Sequence, residues 1–200
     1  MIAAIILAAG DSSRMGSPKA LLPDPHGEPF VTRIAASMRT AAVNDIVVVT
    51  GRHHDEIAGC VARSSLWPLL RVVRNEEPSR GQLSSLWTGL AACPPGTDAV
   101  VVTLVDVPLV TPATIELVIA AWLRTGAPIV RPTFGERRGH PVIFDRAVFD
   151  ELRRAPLDVG ARAVLSAHYR EIVNVPVDDP GCLVDVDTPE DYAKEVRDRR

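Results

Sequence analysis

The hydrophobic positions of this chain follow two patterns, continuous apolar runs and runs with helical spacing. The first run, Ile2–Leu7, is unbroken and rich in Ile, which is typical of a strand buried on both faces of a parallel sheet. Apolar side chains then recur at helical spacing over 30–42, which predicts an amphipathic helix. Further apolar runs predict strands at Asp45–Thr50, Leu70–Arg74, Ala99–Val105, Ile129–Thr133, Val142–Phe144 and Ile172–Val175.

Helical patterns separate most of these strands. They lie at His54–Arg63, along the stripe Leu83, Leu86, Trp87 and Leu90, and over 145–154 and 158–168. Thr111-Pro112 predicts the start of a helix that reaches about Thr125, because Thr is favoured as an N-cap and Pro in the first turn. Thr188-Pro189-Glu190-Asp191 has the pattern of a capping box and predicts a last helix.

Strands that alternate with helices predict an α/β fold, a three-layer α/β/α sandwich with a mostly parallel sheet. A chain of 200 residues is short enough for one domain, so we expect a single domain over 1–200. In such sheets, ligands bind at the carboxyl ends of the strands, where the strand order reverses. The loops after Leu7 and after Val105 are therefore where we expect a site.

The charge of the chain limits the classes of partner. Its formal net charge is −3, and neither half carries an excess of basic residues. Proteins that bind nucleic acid through its phosphates need such an excess, so we expect no nucleic-acid partner, although a single nucleotide remains possible.

The apolar first segment and the cysteines indicate the cellular compartment in which we expect the protein. Met1–Ala9 is too short to span a membrane and has no basic segment before it or cleavage site after it, so we predict neither a membrane anchor nor a signal peptide. Cys60, Cys93 and Cys182 lie far apart, without the spacing of a zinc site or a disulfide framework. We therefore expect a cytoplasmic protein.

The strongest chemical signal is the loop Ala8–Lys19, which follows the first predicted strand. Small residues at its start allow backbone N–H groups to approach an anion closely. Arg14 and Lys19 add two positive charges that suit a polyphosphate. The loop lacks the GK[ST] ending of a Walker A motif and does not match GxGxxG. It predicts a phosphate-binding site of another type.

Asp106 is the second signal. It follows the predicted strand Ala99–Val105, at the edge where a carboxylate can hold Mg²⁺ beside phosphates. An Asp after a strand is often only a helix cap, but Thr111 already has that role here. We therefore predict that Asp106 is a metal ligand.

The acidic pair Asp185 and Asp187 is the third signal. In an extended segment the two side chains would share one face, and one of them would serve as a second Mg²⁺ ligand. The alternative is two acids exposed to solvent ahead of a helix. The residues leave this choice open, and also which of the two carboxylates would bind.

Two weaker patterns are compatible with binding. The segment Gly81–Ser85 opens a helix with Gln82 and Ser85, which would contact a base or a ribose or would serve only as an ordinary helix start. His140 lies in a polar turn and either contacts substrate or is a plain turn residue. His53 and His54 have no third ligand nearby in the sequence, and we interpret them as surface residues.

Taken together, these segments resemble a known family. Leu7-Ala8-Ala9-Gly10-x-Ser12-Ser13-Arg14-Met15-Gly16-x-x-Lys19 is similar to the signature loop of the MobA-like nucleotidyltransferases. Leu-x-Asp106-x-Pro108, Gly139-His140-Pro141 and Asp185-Val186-Asp187-Thr188-Pro189 match later landmarks of that family in the same order. The Ala-Ala-Gly loop, the Gly-Gln-x-Ser-Ser-Leu segment and the Arg-Gly-His-Pro turn look most like the molybdenum cofactor cytidylyltransferases.

The resemblance implies a Rossmann-like fold and transfer of a nucleotide to a phosphorylated acceptor, with release of pyrophosphate. For the cytidylyl branch it implies CTP, Mg²⁺ and a molybdopterin-type acceptor, with a molybdoenzyme or its chaperone as a further partner. Arg14 and Lys19 would hold the triphosphate, Asp106 and Asp187 the metal, and His140 would face the acceptor. The residues around the nucleotide would be Leu7, Ala8, Ala9, Gly10, Gln82 and Ser85.

One position departs from the family pattern, and other functions stay open. Relatives often carry Gln or Met after the metal-binding Asp, where this chain has Val107, and this leaves the acceptor in question. A nucleotidyltransferase for another small phosphorylated acceptor is one alternative. A non-catalytic chaperone that binds the nucleotide or the cofactor and delivers it is the other.

Overall fold

A computed structural model describes residues 1–196, so the last four residues of the predicted domain 1–200 lie outside the described part. Strands and helices alternate as the sequence predicts. The strands are β1 Ile2–Ala8, β2 Asp45–Thr50, β3 Leu70–Arg74, β4 Ala99–Leu104, β5 Ile129–Phe134, β6 Arg137–Arg138, β7 Val142–Asp145 and β8 Ile172–Pro176. The α-helices are α1 Phe30–Thr40, α2 His54–Arg63, α3 Gln82–Ala92, α4 Pro112–Thr125, α5 Phe149–Arg154, α6 Arg162–Ala167 and α7 Pro189–Glu195.

All eight strands form one mixed sheet in the order β3-β2-β1-β4-β7-β5-β6, with β8 also paired to β5. The pairs β1–β2, β1–β4, β2–β3 and β5–β8 are parallel, whereas β7 runs antiparallel to both of its neighbours. The strand order reverses at β1, which has β2 on one side and β4 on the other. This is the kind of position where open α/β sheets bind ligands.

Two apolar layers cover the sheet, which confirms the three-layer prediction. Along β1, Ala4, Ile6 and Ala8 belong to the layer that contains α1, α2 and α4. The alternate residues Ile5 and Leu7 belong to the layer that contains α3, α5 and α6. Because strand side chains alternate between faces, an unbroken apolar strand can fill both layers.

The predicted starts of α4 and α7 are confirmed. The Thr111 side chain accepts a hydrogen bond from the Thr114 backbone N–H, with Pro112 at the first helical position. Thr188 and Asp191 form a complete capping box at the start of α7. Other boundaries shift by a few residues, and the helix expected over 158–168 begins only at Arg162.

The polar turn that contains His140, between the predicted strands Ile129–Thr133 and Val142–Phe144, belongs largely to a β-hairpin. β6 pairs with β5 through Thr133 and Arg138, and β7 pairs with β5 through Val130 and Ile143. Between these pairs, two residues on β5 (131 and 132) face four on the other side (139 to 142). The extra residues form an irregular bulge that contains His140, and such bulges change the direction of side chains near functional sites.

None of the helices in residues 1–196 combines the length and the apolar character needed to cross a membrane.

Helix α3 packs very closely on the sheet at Gly89. A Cβ atom added there would lie 2.6 Å from Cγ2 of Ile5 and 3.2 Å from Cγ2 of Val49. Gly59 in α2 offers a contrast, because a Cβ atom there would meet only the end of the Arg63 side chain, at 3.4 Å. A side chain therefore has room at position 59 but not at position 89.

We predict that Gly89→Ala lowers the free energy of unfolding by about 1–3 kcal/mol, because the methyl group overpacks the β1 side of the core. Gly59→Ala is the matched control and is expected to raise the free energy of unfolding by about 0.5–1 kcal/mol, through helix propensity alone. Urea denaturation of both variants measures the difference. Equal effects of the two substitutions would contradict the close packing of α3.

Candidate active site

The pairing of β1 with β4 brings three chain segments to one edge of the sheet. The Val105 N–H donates to the Leu7 carbonyl at 3.0 Å, so the loops that follow the two strands start side by side. The Val186 N–H donates to the Asp106 carbonyl at 2.8 Å and ties the segment before α7 to the same edge. Residues far apart in the sequence therefore meet at the carboxyl ends of the central strands.

The Lys19 ammonium lies between two carboxylates at this edge. It donates to Oδ2 of Asp106 at 3.1 Å and also to Oδ1 of Asp187. Arg14 reaches the other oxygen of Asp187, Oδ2, at 3.3 Å. The second oxygen of Asp106, Oδ1, is buried and has no hydrogen-bond partner among the described residues. The cluster thus contains two cations, two anions and one unsatisfied carboxylate oxygen.

The charges of the cluster reinforce one another. Burial alone would lower the pKa of Lys19, but its hydrogen bonds to Asp187 and Asp106 and their charges outweigh this and raise it above its ordinary value. The hydrogen bond and charge of Lys19, with the charge of Arg14, lower the pKa of Asp187 despite some burial. Lys19 is thus held as a cation and Asp187 as an anion.

The loop after β1 is shaped to present Lys19. Ser12 adopts a left-handed backbone conformation, with φ of 50°, and its Oγ accepts a hydrogen bond from the Lys19 backbone N–H at 3.0 Å. A short 3-10 helix, Lys19–Leu21, follows directly. Sequence reasoning assigned no role to Ser12, although Ser in a small-residue loop is a common local hydrogen-bond acceptor.

A cavity of about 410 Å³ opens over this cluster. Every residue predicted to contact the nucleotide or the metal lines it, namely Leu7, Ala8, Ala9, Gly10, Arg14, Lys19, Gln82, Ser85, Asp106 and Asp187. His53, which we predicted to be a surface residue, also contributes to the wall. Its position after β2, at the same edge of the sheet, is the sequence signal that could have indicated this.

The start of α3 is fixed by a residue that the sequence analysis missed. Asn75, buried after β3, donates from Nδ2 to the hydroxyls of Ser84 and Ser85 at 2.9 and 3.0 Å. These bonds hold the first turn of α3 and its Gln82 side against the cavity. Asn75 directly follows β3 at the carboxyl edge of the sheet, and this position in the sequence could have indicated its role.

His140 lines a second cavity, of about 610 Å³, that shares Leu7, Gln82 and Leu104 with the first. Its Nδ1 atom is buried without a hydrogen-bond partner among the described residues. Burial lowers the pKa of His140, against a hydrogen bond with the Val102 backbone and the charge of Asp106. His140 therefore offers a neutral ring between the Asp106 cluster and the second cavity.

Asp185 and Asp187 line different cavities but lie close enough for their charges to interact. Asp187 lines the first cavity and contacts Lys19, whereas Asp185 lines the second cavity. Burial, together with the negative charges of Asp106 and Asp187, raises the pKa of Asp185. Val107, the departure from the family pattern, is 1% exposed and packs in the core below the cavity.

The donors present fit a metal that shares its coordination with a ligand. Within residues 1–196, no three His, Cys, Asp or Glu side chains converge to hold a metal by themselves. Asp106 and Asp187 supply carboxylate oxygens, of which Oδ1 of Asp106 has no partner. Mg²⁺ is commonly bound by one or two carboxylates together with substrate phosphates, so Asp106 and Asp187 are the residues that could hold such an ion.

Comparison with known proteins identifies the fold and the family. The family model for the MobA-like NTP transferase domain matches residues 4–172. The molybdenum cofactor cytidylyltransferase of Escherichia coli (strain K12) is 27% identical over 190 residues, which cover 94% of this chain and 92% of that protein. The nicotine blue oxidoreductase of Paenarthrobacter nicotinovorans is 30% identical over 201 residues, 94% of this chain and 93% of that protein.

A further match is partial. The chain aligns with only 24% of the bifunctional protein GlmU of Agrobacterium fabrum, at 34% identity. The chain therefore spans about a quarter of that relative's length.

The solved structures agree over nearly the whole chain. The crystal structure of Rv0371c from Mycobacterium tuberculosis H37Rv has a TM-score of 0.81 at 28% identity and covers 97% of both chains. A structure of Rv0371c in complex with manganese has a TM-score of 0.76 at 27% identity, covering 98% of this chain and 97% of that one. With its cavity at the reversal of strand order and a family match over most of its length, this chain belongs to the MobA-like nucleotidyltransferase family.

Proposed function

We propose that this protein transfers CMP from CTP to a molybdopterin-type cofactor with Mg²⁺ and releases pyrophosphate. The observation that carries the proposal is the Lys19 ammonium held between Asp106 and Asp187 in a cavity lined by the small residues of the β1 loop. A polyphosphate needs both cations and close backbone N–H groups, and this loop offers both.

The charge balance of the site supports a requirement for a divalent metal. Arg14 and Lys19 are offset by Asp106 and Asp187, so the cluster is close to neutral by itself. A triphosphate would add several negative charges that two cations cannot balance while both carboxylates remain ionised. When bound, Mg²⁺ neutralises charge on the phosphate oxygens. We propose Asp106 and Asp187 as its protein ligands.

The transfer needs positioning and charge stabilisation more than an acid or a base. An oxygen of the acceptor phosphate forms a bond to the α-phosphorus of CTP, and the bond from that phosphorus to the bridging oxygen breaks. Pyrophosphate leaves with the electron pair. Lys19 and Arg14 would stabilise the charge that develops on the departing phosphates, and the loop Ala8–Gly10 would orient the nucleotide.

The remaining predicted residues have roles around the two substrates. Gln82 and Ser85, at the start of α3, lie in the first cavity where they would contact the base or the ribose. His140 lies in the lining of the second cavity, where it would face the acceptor. The lining shared by the two cavities supports a direct path between the nucleotide and the acceptor.

Pyrophosphate release tests the proposal directly. Each of CTP, GTP, ATP and UTP is incubated with a molybdopterin-type cofactor, with sugar phosphates or with phosphorylated acids, in the presence and absence of Mg²⁺. Release that requires CTP, the molybdopterin-type acceptor and Mg²⁺ is the expected result. Turnover with another phosphorylated acceptor would support the broader nucleotidyltransferase alternative, and tight CTP binding without turnover would support the delivery chaperone.

Lys19→Ala should lower kcat/KM by the equivalent of about 2–4 kcal/mol, because an electrostatic donor to the triphosphate is lost. The fold should persist, since Lys19 contacts loop and site residues and not the apolar core. Lys194→Ala is the matched control, because Lys194 is the only other lysine and its side chain is 81% exposed. Normal turnover of Lys19→Ala would contradict its role as a triphosphate clamp.

Asp106→Asn is expected to abolish Mg²⁺-dependent turnover while the protein stays folded, because the amide keeps the size but removes the charge that a hard cation requires. Asp187→Asn should show a similar but milder loss. The readout is the Mg²⁺ affinity of the nucleotide complex, measured by calorimetry. Asp185→Asn should change that affinity much less, because Asp185 lines the other cavity. An unchanged affinity in Asp106→Asn would mean that Asp106 is only structural.

CTP should be preferred over GTP, because the methyl group of Ala9 narrows a turn in which a glycine would leave room for a purine. Ala9→Gly is therefore expected to reduce the discrimination without reversing it, since Gln82 and Ser85 also line the cavity. The measurement is the ratio of kcat/KM for CTP and GTP in wild type and variant with a molybdopterin-type acceptor. Equal use of both nucleotides by the wild type would refute the cytidylyl assignment.

A further inference from the structure

The second cavity contains a buried arginine without an acidic partner. Arg131 is 8% exposed, and it forms no salt bridge with any Asp or Glu of residues 1–196. The only hydrogen bond of its side chain to these residues runs from Nε to Oδ1 of Asn174, at 2.9 Å. The two Nη atoms have no partner among these residues and are not sealed in the interior, so they are open to the cavity, where an anionic group could pair with them.

More positive charge surrounds the same cavity. Arg137, Arg138 and Arg162 also line it, and none of them forms a salt bridge within the described part of the chain. Arg138 pairs with Thr133, which lies two residues from Arg131 on the same face of β5, so both arginines line this cavity. Burial and the neighbouring charge of Arg138 lower the pKa of Arg131. Asp158 and Asp185 are the acidic residues of the lining, so four cations face two anions.

The sheet register separates Arg131 from the Lys19 cluster. β7 lies between β4 and β5, so Arg131 on β5 is two strand spacings, about 10 Å, from the strand that leads to Asp106. Arg131 also pairs in register with Asn174 of β8, and the hydrogen bond to Asn174 turns its guanidinium toward β8, away from β4. Arg131 is thus positioned for a group other than the reacting phosphate.

The lining between the two ends is apolar. Leu83, Leu86 and Phe144 form the inner wall, while Leu157 and Val159 stand at 37% and 47% exposure in a loop that also lines the cavity. A ring-sized apolar body bound there would cover these side chains.

We propose that Arg131, anchored by Asn174 and assisted by Arg138, forms an anion subsite at the far end of the acceptor cavity. The acceptor then carries a second anionic group, separated by an apolar, ring-sized body from the phosphate that reacts. This inference rests on the proposed function for the orientation of the acceptor. Specificity for that second anion would then come from Arg131, which lies outside the Lys19 cluster.

A pair of matched probes tests the subsite by binding alone. Calorimetry compares 4-carboxyphenyl phosphate with 4-carbamoylphenyl phosphate, which has the same size but a neutral amide in place of the carboxylate. We expect the wild type to bind the carboxylate probe at least tenfold more tightly, because an arginine pairs strongly with a carboxylate. In Arg131→Met most of this preference should be lost.

Further variants keep the test independent of folding and turnover. Arg138→Met changes an exposed hairpin residue and should reduce the discrimination in part, and Arg124→Met, at the exposed end of α4, should retain it fully. Equal binding of both probes by the wild type, or unchanged discrimination in a folded Arg131→Met, would overturn the subsite. Because no turnover is measured, failure of pyrophosphate release would refute the proposed function and leave this result standing.

Discussion

The site depends on the parallel pairing of β1 with β4. That pairing sets the β1 loop beside Asp106, and the hydrogen bond from Val186 to the Asp106 carbonyl then brings in Asp187. The Lys19 ammonium joins the three segments by contacting both carboxylates. Without the ladder the two carboxylates and the lysine would belong to unrelated loops, separated by 87 and 168 residues from Lys19.

A second constraint comes from a close backbone approach beside the second cavity. A Cβ atom at Gly139 would lie 2.5 Å from the Cys182 carbonyl oxygen, the same oxygen that accepts a hydrogen bond from the His140 N–H at 2.9 Å. The hairpin bulge is therefore held against the turn before Asp185. This contact fixes His140 in the lining of the second cavity, so a side chain at position 139 would displace it.

The two cavities differ in the types of residue that line them. The first is lined by small residues and by a cluster of opposed charges, which suits a ligand that is itself highly charged. The second combines apolar walls with arginines that lack acidic partners in residues 1–196. A nucleotidyltransferase acts on a nucleotide and an acceptor, and two adjoining cavities of different character suit two different substrates.

The sequence by itself determined the α/β architecture, the order of most elements and the residues of the β1 loop, because these depend on local periodicity and on a contiguous motif. Apolar runs cannot show the direction of a strand, so β6 and the antiparallel course of β7 required the tertiary structure. The same holds for His53, Asn75 and Arg131, which are ordinary residues in sequence. Their roles arise only when distant strands align and a side chain is buried without a local partner. Likewise, only the tertiary structure shows that Asp187 lines the first cavity and Asp185 the second.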